Sequence, residues 1–340
     1  MTNNVGHFFL VSFLGLERSS PGPENKKHKI DFCLLRMSMS STKLGYWSVV
    51  ASYICWGFMP LYTRQFSDVS LLEFFVHRII WSAAILVLLM LIQGKLIALF
   101  TNLSLKRVGM YFVSAVLVAA NWYLFVWGIL RGDITEASLG YFINPLVSVL
   151  LGLVILHEKI RRFQLVATIL VVLGVGILGF AYGKFPWLAL SLGASFGLYG
   201  LIRKVGDLNA VEGLTLEMVL LLPFMFILIY YLKGQDQFIF GTQGILIDMK
   251  LMTIGIITAL PMLIFIFGVQ RISMTTLGFI QYLGPTLQFL SGVLIFNEII
   301  DQNRLMGYAT VWLGLLIFAL EGLYQSRKNQ ANQTSPVMMD

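Results

Sequence analysis

Charge is what this sequence has least of. Asp, Glu, Lys and Arg make up 12% of its 340 residues, against 57% apolar residues and a mean hydropathy of +0.80. So few charges cannot cover the surface of water-soluble cores built from a chain this long, which excludes a soluble globule. Two cysteines, Cys33 and Cys55, are too few for a disulfide scaffold and read as unpaired and structural. The glycines follow no three-residue period, so the chain is not collagen-like, and its hydrophobicity excludes disorder. The four histidines, His7, His28, His77 and His157, are too scattered to suggest a metal site by spacing. There is no Walker A run, so an ATP-driven pump would need a separate subunit. No metal or cofactor is expected, and the solvent for most of the chain is lipid.

Long apolar runs fill the space that charge leaves. A membrane-spanning helix needs roughly 20 mostly apolar residues, and ten such runs occur, at about 45–66, 72–93, 108–130, 135–156, 163–182, 186–202, 211–232, 251–270, 275–297 and 303–324. They are twice too long for barrel strands and do not alternate. The predicted fold class is an all-α polytopic membrane protein of ten transmembrane helices with short loops. With the N-terminus inside, 17 Lys and Arg fall in inner segments and six in outer ones, while Arg78 lies within a span. This bias predicts that both termini are cytoplasmic. Topology thereby explains the net charge of +7, and no nucleic-acid partner follows from it.

Residues 1–42 form the N-terminal tail and 325–340 the C-terminal one. The run from His7 to Leu16 is too short to span and lacks the cleavage pattern of a signal peptide. Residues 1–36 are therefore expected to be an incorrect start extension, with translation beginning at Met37 or Met39.

Shifting the chain by 140 residues superposes Trp47 on Trp187, Gly57 on Gly197, Pro145 on Pro285, Gly152 on Gly292, Glu158 on Glu298 and Leu173-Gly174 on Leu313-Gly314. The shift divides the ten spans into two repeats of five, 43–182 and 183–324. An odd number of spans per repeat makes the second enter the membrane from the opposite side. Such inverted repeats characterise secondary transporters, whose substrate site lies near the midplane at the repeat interface.

Helical spacing puts Ser138, Tyr141, Pro145, Ser148 and Gly152 on one face of the fourth run, and Gly278, Gln281, Pro285, Gln288 and Gly292 on the matching face of the ninth. Proline releases backbone carbonyls, tolerated in a membrane only where protein or a water-filled cavity receives them. Gly152 and Gly292 read as close-packing positions, Tyr141, Asn144, Gln281 and Tyr282 as cavity residues, and Pro145 and Pro285 as hinges. The second run sets Glu73 and His77 one turn apart and Arg78 nearly two turns inside. An ionisable group at membrane depth costs at least about 2.5 to 3.5 kcal/mol unless paired or hydrated. Arg78 should therefore face the bundle interior, either as a functional group or as a clamp on a neighbouring helix. The 140 shift sets His77 opposite Glu217, about two turns into its own span, and these two are the candidates for proton coupling. Asn121 and Trp122 add an amide and an indole donor that need partners.

Two motif matches carry no chemistry. Gly174-Val-Gly176-Ile-Leu-Gly179 spells a dinucleotide fingerprint and Gly193-Ala-Ser195-Phe-Gly197 a nucleophile elbow, yet both lie inside apolar helices without the strand contexts those motifs require. Both are expected to be helix-packing contacts.

The segments His77-Arg78-Ile-Ile-Trp81-Ser82, Asn121-Trp122, Glu136-Ala-Ser-Leu-Gly140-Tyr-Phe-Ile-Asn144-Pro145-Leu, Tyr199-Gly-Leu-Ile-Arg203-Lys204 and Thr276-Leu-Gly-Phe279-Ile-Gln281-Tyr282-Leu-Gly-Pro285-Thr286 look like the RarD proteins, a family in the EamA group of the drug/metabolite transporter superfamily. The resemblance covers about residues 43 to 325. The broader EamA pattern is an acidic residue followed by Gln and then Leu-Gly. It appears as Glu158, Gln164 and Leu173-Gly174, and again as Glu298, Leu305 and Leu313-Gly314. The departures are His157, where a Gly usually precedes the Glu, and Arg304, where the second half would show Gln. The resemblance implies a ten-helix bacterial inner-membrane permease with a central cavity, often described as related to chloramphenicol sensitivity. The expected function is secondary transport of small organic solutes by alternating access, without enzymatic activity. The cavity candidates are His77, Arg78, Trp81, Asn121, Trp122, Tyr141, Asn144, Tyr199, Gln281 and Tyr282. The rivals are a facilitator without proton coupling and, from another class, an intramembrane enzyme. Substrate identity and oligomeric state stay open.

Overall fold

The computed structural model describes residues 41–66, 69–131, 133–294 and 302–334. The proposed start extension and Glu298 lie outside the described residues. Among those described the chain is helical throughout: α1 Ser41–Gly57, α2 Met59–Thr63, α3 Leu71–Ile92, α4 Leu96–Thr101, α5 Leu105–Leu130, α6 Ile134–Val154, α7 Arg162–Tyr182, α8 Trp187–Val205, α9 Ala210–Gly234, α10 Ile245–Val269, α11 Met274–Gln281, α12 Leu283–Leu294 and α13 Gln302–Thr334. Eight of these, α3, α5 to α10 and α13, are long and apolar enough to cross a membrane.

The first and ninth predicted runs are not single long helices, and proline explains both. Pro60 has no N–H to return to the Trp56 carbonyl, and α1 gives way at Gly57 to α2 and a 3₁₀ turn at Arg64–Phe66. Pro285 likewise offers nothing to the Gln281 carbonyl, and the helix is interrupted at Tyr282 between α11 and α12. By contrast, α6 runs unbroken through Pro145. The two prolines matched by the 140 shift thus differ in their local effect. Three other helix ends follow local chemistry. Ser70 Oγ accepts from Glu73 N–H to start α3, Asn209 and Glu212 form a reciprocal cap on α9, and Gly183, at φ 73°, ends α7.

The chain divides into two compact units. The first, Met1–Val126 with Leu198–Ile272, packs α3 against α9 and α10, and α1 against α10. Close approach requires small residues here: a Cβ on Gly255 would fall 2.4 Å from Trp81 Cβ, and Ser82 Oγ donates to the Gly255 carbonyl at 3.2 Å.

The second unit, Trp127–Gly197 with Ser273–Asp340, packs α7 along α13 and α6 along α11. The α7–α13 contact is reciprocal. A Cβ on Gly174 would meet Val311 and the Gly307 carbonyl, and one on Gly314 would meet Val171 and the Ala167 carbonyl. Gly193 and Gly197 of α8 lie against Ile143 and Val147 of α6. The elbow lookalike is therefore a helix-packing surface at Gly193 and Gly197, whereas in the dinucleotide lookalike Gly174 packs and Gly176 has nothing within 4 Å.

Candidate functional site

Among the described residues, three polar clusters contain the candidate residues. The first stands on α3 of the first unit, where Glu73, His77 and Trp81 follow at one-turn intervals and share a face. Trp81 Nε1 donates to His77 Nδ1 at 2.9 Å, and His77 Nε2 lies 3.5 Å from Glu73 Oε1. A ring nitrogen that accepts leaves the proton of neutral imidazole on the other, so Nε2–H faces the carboxylate. Glu73 Oε1 also accepts from the Ile239 and Phe240 amides at 2.9 and 3.0 Å, and the rings of Phe238 and Phe240 lie 5.7 and 5.1 Å from the imidazole. The segment after α9 is thereby tied over the start of α3. Arg78, one residue on, turns to another face, where its guanidinium lies 4.0 Å from the Trp122 ring. This cation–π contact places a cation over the face of the indole beside the buried Asn121.

The second cluster, in the same unit, surrounds Glu217 on α9. Its Oε1 accepts from Ser114 Oγ of α5 at 2.7 Å, its Oε2 accepts from the Tyr199 hydroxyl of α8 at 3.2 Å, and Arg203 Nη1 stands 3.5 Å from Oε1. Arg203 donates from Nη2 to the Asn209 carbonyl at 3.3 Å and lies 5.1 Å from the Tyr111 ring. All five side chains, Tyr111, Ser114, Tyr199, Arg203 and Glu217, are fully buried. Gly213 makes room for the guanidinium, since a Cβ there would fall 1.9 Å from Nη1. Arg203, counted from the sequence among inner loop charges, is thus a buried helix residue with an internal counter-ion. Lys204 beside it donates to the Ile272 carbonyl just past the end of α10. The basic excess of the segments expected inside persists without these two.

The third cluster lies in the second unit, on α6 and α11. Tyr282 donates its hydroxyl to the Phe142 carbonyl at 2.9 Å. Asn144, Ser148 and Gln281 are buried, and Asn144 Oδ1, Ser148 Oγ and Gln281 Oε1 have no hydrogen-bond partner. Tyr141 is half-buried. Pro145 turns its carbonyl towards Gly278 of α11. Glu158 holds the start of α11, accepting from the Met274 and Thr275 amides at 2.6 and 2.8 Å and from Thr275 Oγ1 at 2.7 Å. Glu136 accepts from the Leu188 amide at 2.7 Å.

The first unit thus holds His77, Arg78, Trp81, Asn121, Trp122, Tyr199 and Glu217, and the second holds Tyr141, Asn144, Pro145, Gln281, Tyr282 and Pro285. Sequence reasoning missed Ser114 and Arg203 as partners of Glu217. Arg203 stands one turn from Tyr199 on the same helix, a spacing that does not itself point to Glu217, and Ser114 lies 103 residues from its partner. Among the described residues no group of three or more His, Cys, Asp or Glu could hold a metal ion.

Residues 43–180 match the model of the EamA-like transporter family. Protein RarD of Salmonella typhi is 36% identical, and the match covers 86% of this chain and 100% of that protein. The chain belongs to the RarD family of EamA-like transporters. A Vibrio cholerae protein named only as an uncharacterized transporter is also 36% identical, over 83% of this chain and 93% of its own length. A solved crystal structure with 14% sequence identity covers 82% of this chain and 97% of its own, at a TM-score of 0.59, and supports the fold alone. As a member of the RarD family with eight helices long and apolar enough to cross a membrane among the described residues, the molecule is a multi-pass membrane transporter with bacterial relatives. The helical geometry also accounts for the EamA pattern at His157. Its φ of 52° is left-handed, which favours glycine, and it delivers Glu158 to the start of α11.

Proposed function

We propose that this protein is a secondary transporter of small organic solutes that works by alternating access in the bacterial inner membrane, with both termini cytoplasmic and no enzymatic activity. The observation that carries the reading is the set of ionisable and amide side chains buried inside otherwise apolar spans, Arg203, Glu217, Asn144 and Gln281 among them, because such groups at membrane depth mark substrate and ion pathways. Ten crossings complete the count when α1 and the interrupted pair α11 and α12 are added to the eight long helices. Inverted repeats of 43–182 and 183–324 gain support from contacts that recur under the 140 shift. Gly174 touches residues 307 and 311 as Gly314 touches residues 167 and 171, and Tyr282 bonds the carbonyl of Phe142, the residue 140 positions before it. Two matched halves give two nearly equivalent conformations, one open to each side.

In this reading Arg78 attracts an anionic group or holds Trp122; in the first unit Trp81, Trp122 and Tyr199 offer aromatic groups to an apolar body and Asn121 orients polar atoms, and in the second unit Tyr141 and Tyr282, with Asn144 and Gln281, offer the same two kinds of contact. Pro285 and Pro145 are the flexible points. Glu217 and His77 exchange protons with the two aqueous sides. The test is flux in proteoliposomes with solutes chosen by metabolite profiling of cells with and without the protein. Glu217→Gln should abolish gradient-driven accumulation and leave exchange intact. Unchanged accumulation in this variant would remove Glu217 from proton coupling, flux without gradient-driven accumulation in the parent protein would leave a facilitator, and absence of any flux in the parent protein would overturn transport.

A further inference from the structure

We infer that the second unit contains a binding site for a compact monovalent cation, formed by Asn144 and Ser148 of α6 and Gln281 at the end of α11. Three buried oxygens, Asn144 Oδ1, Ser148 Oγ and Gln281 Oε1, have no hydrogen-bond partner. Leaving a buried acceptor unsatisfied costs about as much as a hydrogen bond gains, or more, so three in one region need an explanation, and a bound ion is one.

The register of the two helices brings these atoms to adjoining levels. A Cβ on Gly152 would meet Met274, one on Gly278 would meet the Pro145 carbonyl and Val149, and Tyr282 bonds the Phe142 carbonyl. Numbers rise along one helix as they fall along the other, so α6 and α11 are antiparallel, and Gln281 stands at the level of Asn144 with Ser148 one turn away.

A second, independent feature selects the sign of the ligand. α11 ends at Gln281, where the helix is interrupted, and Pro285 has no N–H to give the Gln281 carbonyl. The C-terminal end of a helix carries partial negative charge, and interrupted helices in membranes use such ends and their carbonyls to hold cations. Neither α6 nor α11 contains Lys or Arg. The nearby carboxylates are committed, Glu136 to the Leu188 amide and Glu158 to the start of α11. A set of neutral oxygens without a carboxylate suits a monovalent ion over a divalent one, which these sites hold through carboxylates. The same chemistry fits a sodium ion and the ammonium head of an amine-bearing solute.

This inference rests on the transport reading only in giving the cation a role; binding stands apart from it. The experiment follows the melting temperature of the purified full-length protein in detergent as NaCl, methylammonium chloride or N-methylglucamine chloride is raised at constant ionic strength. A saturable upward shift is expected with sodium, which identifies a coupling ion, or with methylammonium, which identifies the head group of a solute, and none with the bulky N-methylglucamine. Asn144→Leu and Gln281→Leu should each abolish the shift while keeping or raising the melting temperature without the ion, because each removes an unpartnered polar atom. Ser148→Ala, which deletes a single atom, should reduce the shift severalfold and carries the test where either larger change prevents folding. Equal melting temperatures in all three salts would overturn the site, as would a shift that persists in every folded variant or that follows exchange of chloride for gluconate. A normal shift in a protein that carries no solute would instead overturn the transport reading and leave the site standing.

Discussion

At the scale of single residues the interior is organised by a few charges with partners distant in sequence. Arg203 and Glu217 are both fully buried and 3.5 Å apart, so each is the other's main compensation for leaving water. Arg203→Met should therefore destabilise the folded protein by about 3 to 5 kcal/mol, because Glu217 remains as an uncompensated buried charge. Arg203→Met combined with Glu217→Leu should recover most of that loss, since an apolar pair of similar volume has no charge to desolvate. Thermal unfolding of the purified variants checks this, and a double variant no more stable than the single one would mean that the pair is not energetically coupled. The depth of Glu217 was legible in the sequence because acids are rare in apolar runs. Its partners were not, because Ser114 is an ordinary residue in a span and Arg203, near a helix end, passes for a topology marker. Glu73, His77 and Trp81 were legible as neighbours because one-turn spacing within one helix is a local rule. That the peptide at Ile239 and Phe240 would bond Glu73 was not, since only the folded chain brings the segment after α9 back to α3.

Among the elements, contact depends on backbone geometry as much as on side chains. His157 is in the left-handed region at φ 52°, which costs a residue with a Cβ roughly 1 to 2 kcal/mol. His157→Gly should raise stability by about 1 kcal/mol, measured as an increase in melting temperature, while keeping Glu158 on the start of α11; glycine's greater freedom in the unfolded chain holds the gain below the full strain. Glycines on α7 and α13 supply a sharper test. At Gly174 and Gly314 a methyl would fall 2.8 to 2.9 Å from atoms of the opposing helix, backbone oxygens among them, whereas at Gly176 nothing lies within 4 Å. Gly174→Ala and Gly314→Ala should each cost about 1 to 3 kcal/mol by overpacking. The two losses should be similar because their contacts mirror one another. Gly176→Ala should be neutral or stabilising by up to about 1 kcal/mol, the difference in helix propensity. Thermal melts of the three variants decide it, and equal effects at all three sites would remove the packing explanation. The sequence identified Gly174 and Gly176 alike as packing positions, because both belong to the same small-residue pattern and only the orientation of α7 separates them.

The whole molecule was legible in outline because hydropathy and length dictate where a chain can cross a bilayer. Helix boundaries were less so at the first and ninth runs, where the apolar pattern continues past Pro60 and Pro285 although the hydrogen-bond ladder does not. The partition into compact units was not legible either. Each unit takes elements from both sequence repeats, and periodicity along the chain contains no information about which distant helices pair. What the sequence does contain is sidedness, through the 17 basic residues assigned to inner segments against six to outer ones. Five spans, α5 to α9, separate the exposed Asn102 from the exposed Thr242, its counterpart 140 residues on. An odd number of crossings places such a pair on opposite sides of the membrane. In a protein with Cys33 and Cys55 replaced by Ser, Thr242→Cys should react with a membrane-impermeant maleimide in cells whose inner membrane is intact, and Asn102→Cys only after that membrane is opened. The reverse pattern would keep the inversion and exchange inside for outside. Labelling of both from one side would mean an even number of crossings between them, which the inverted five-helix repeat does not allow.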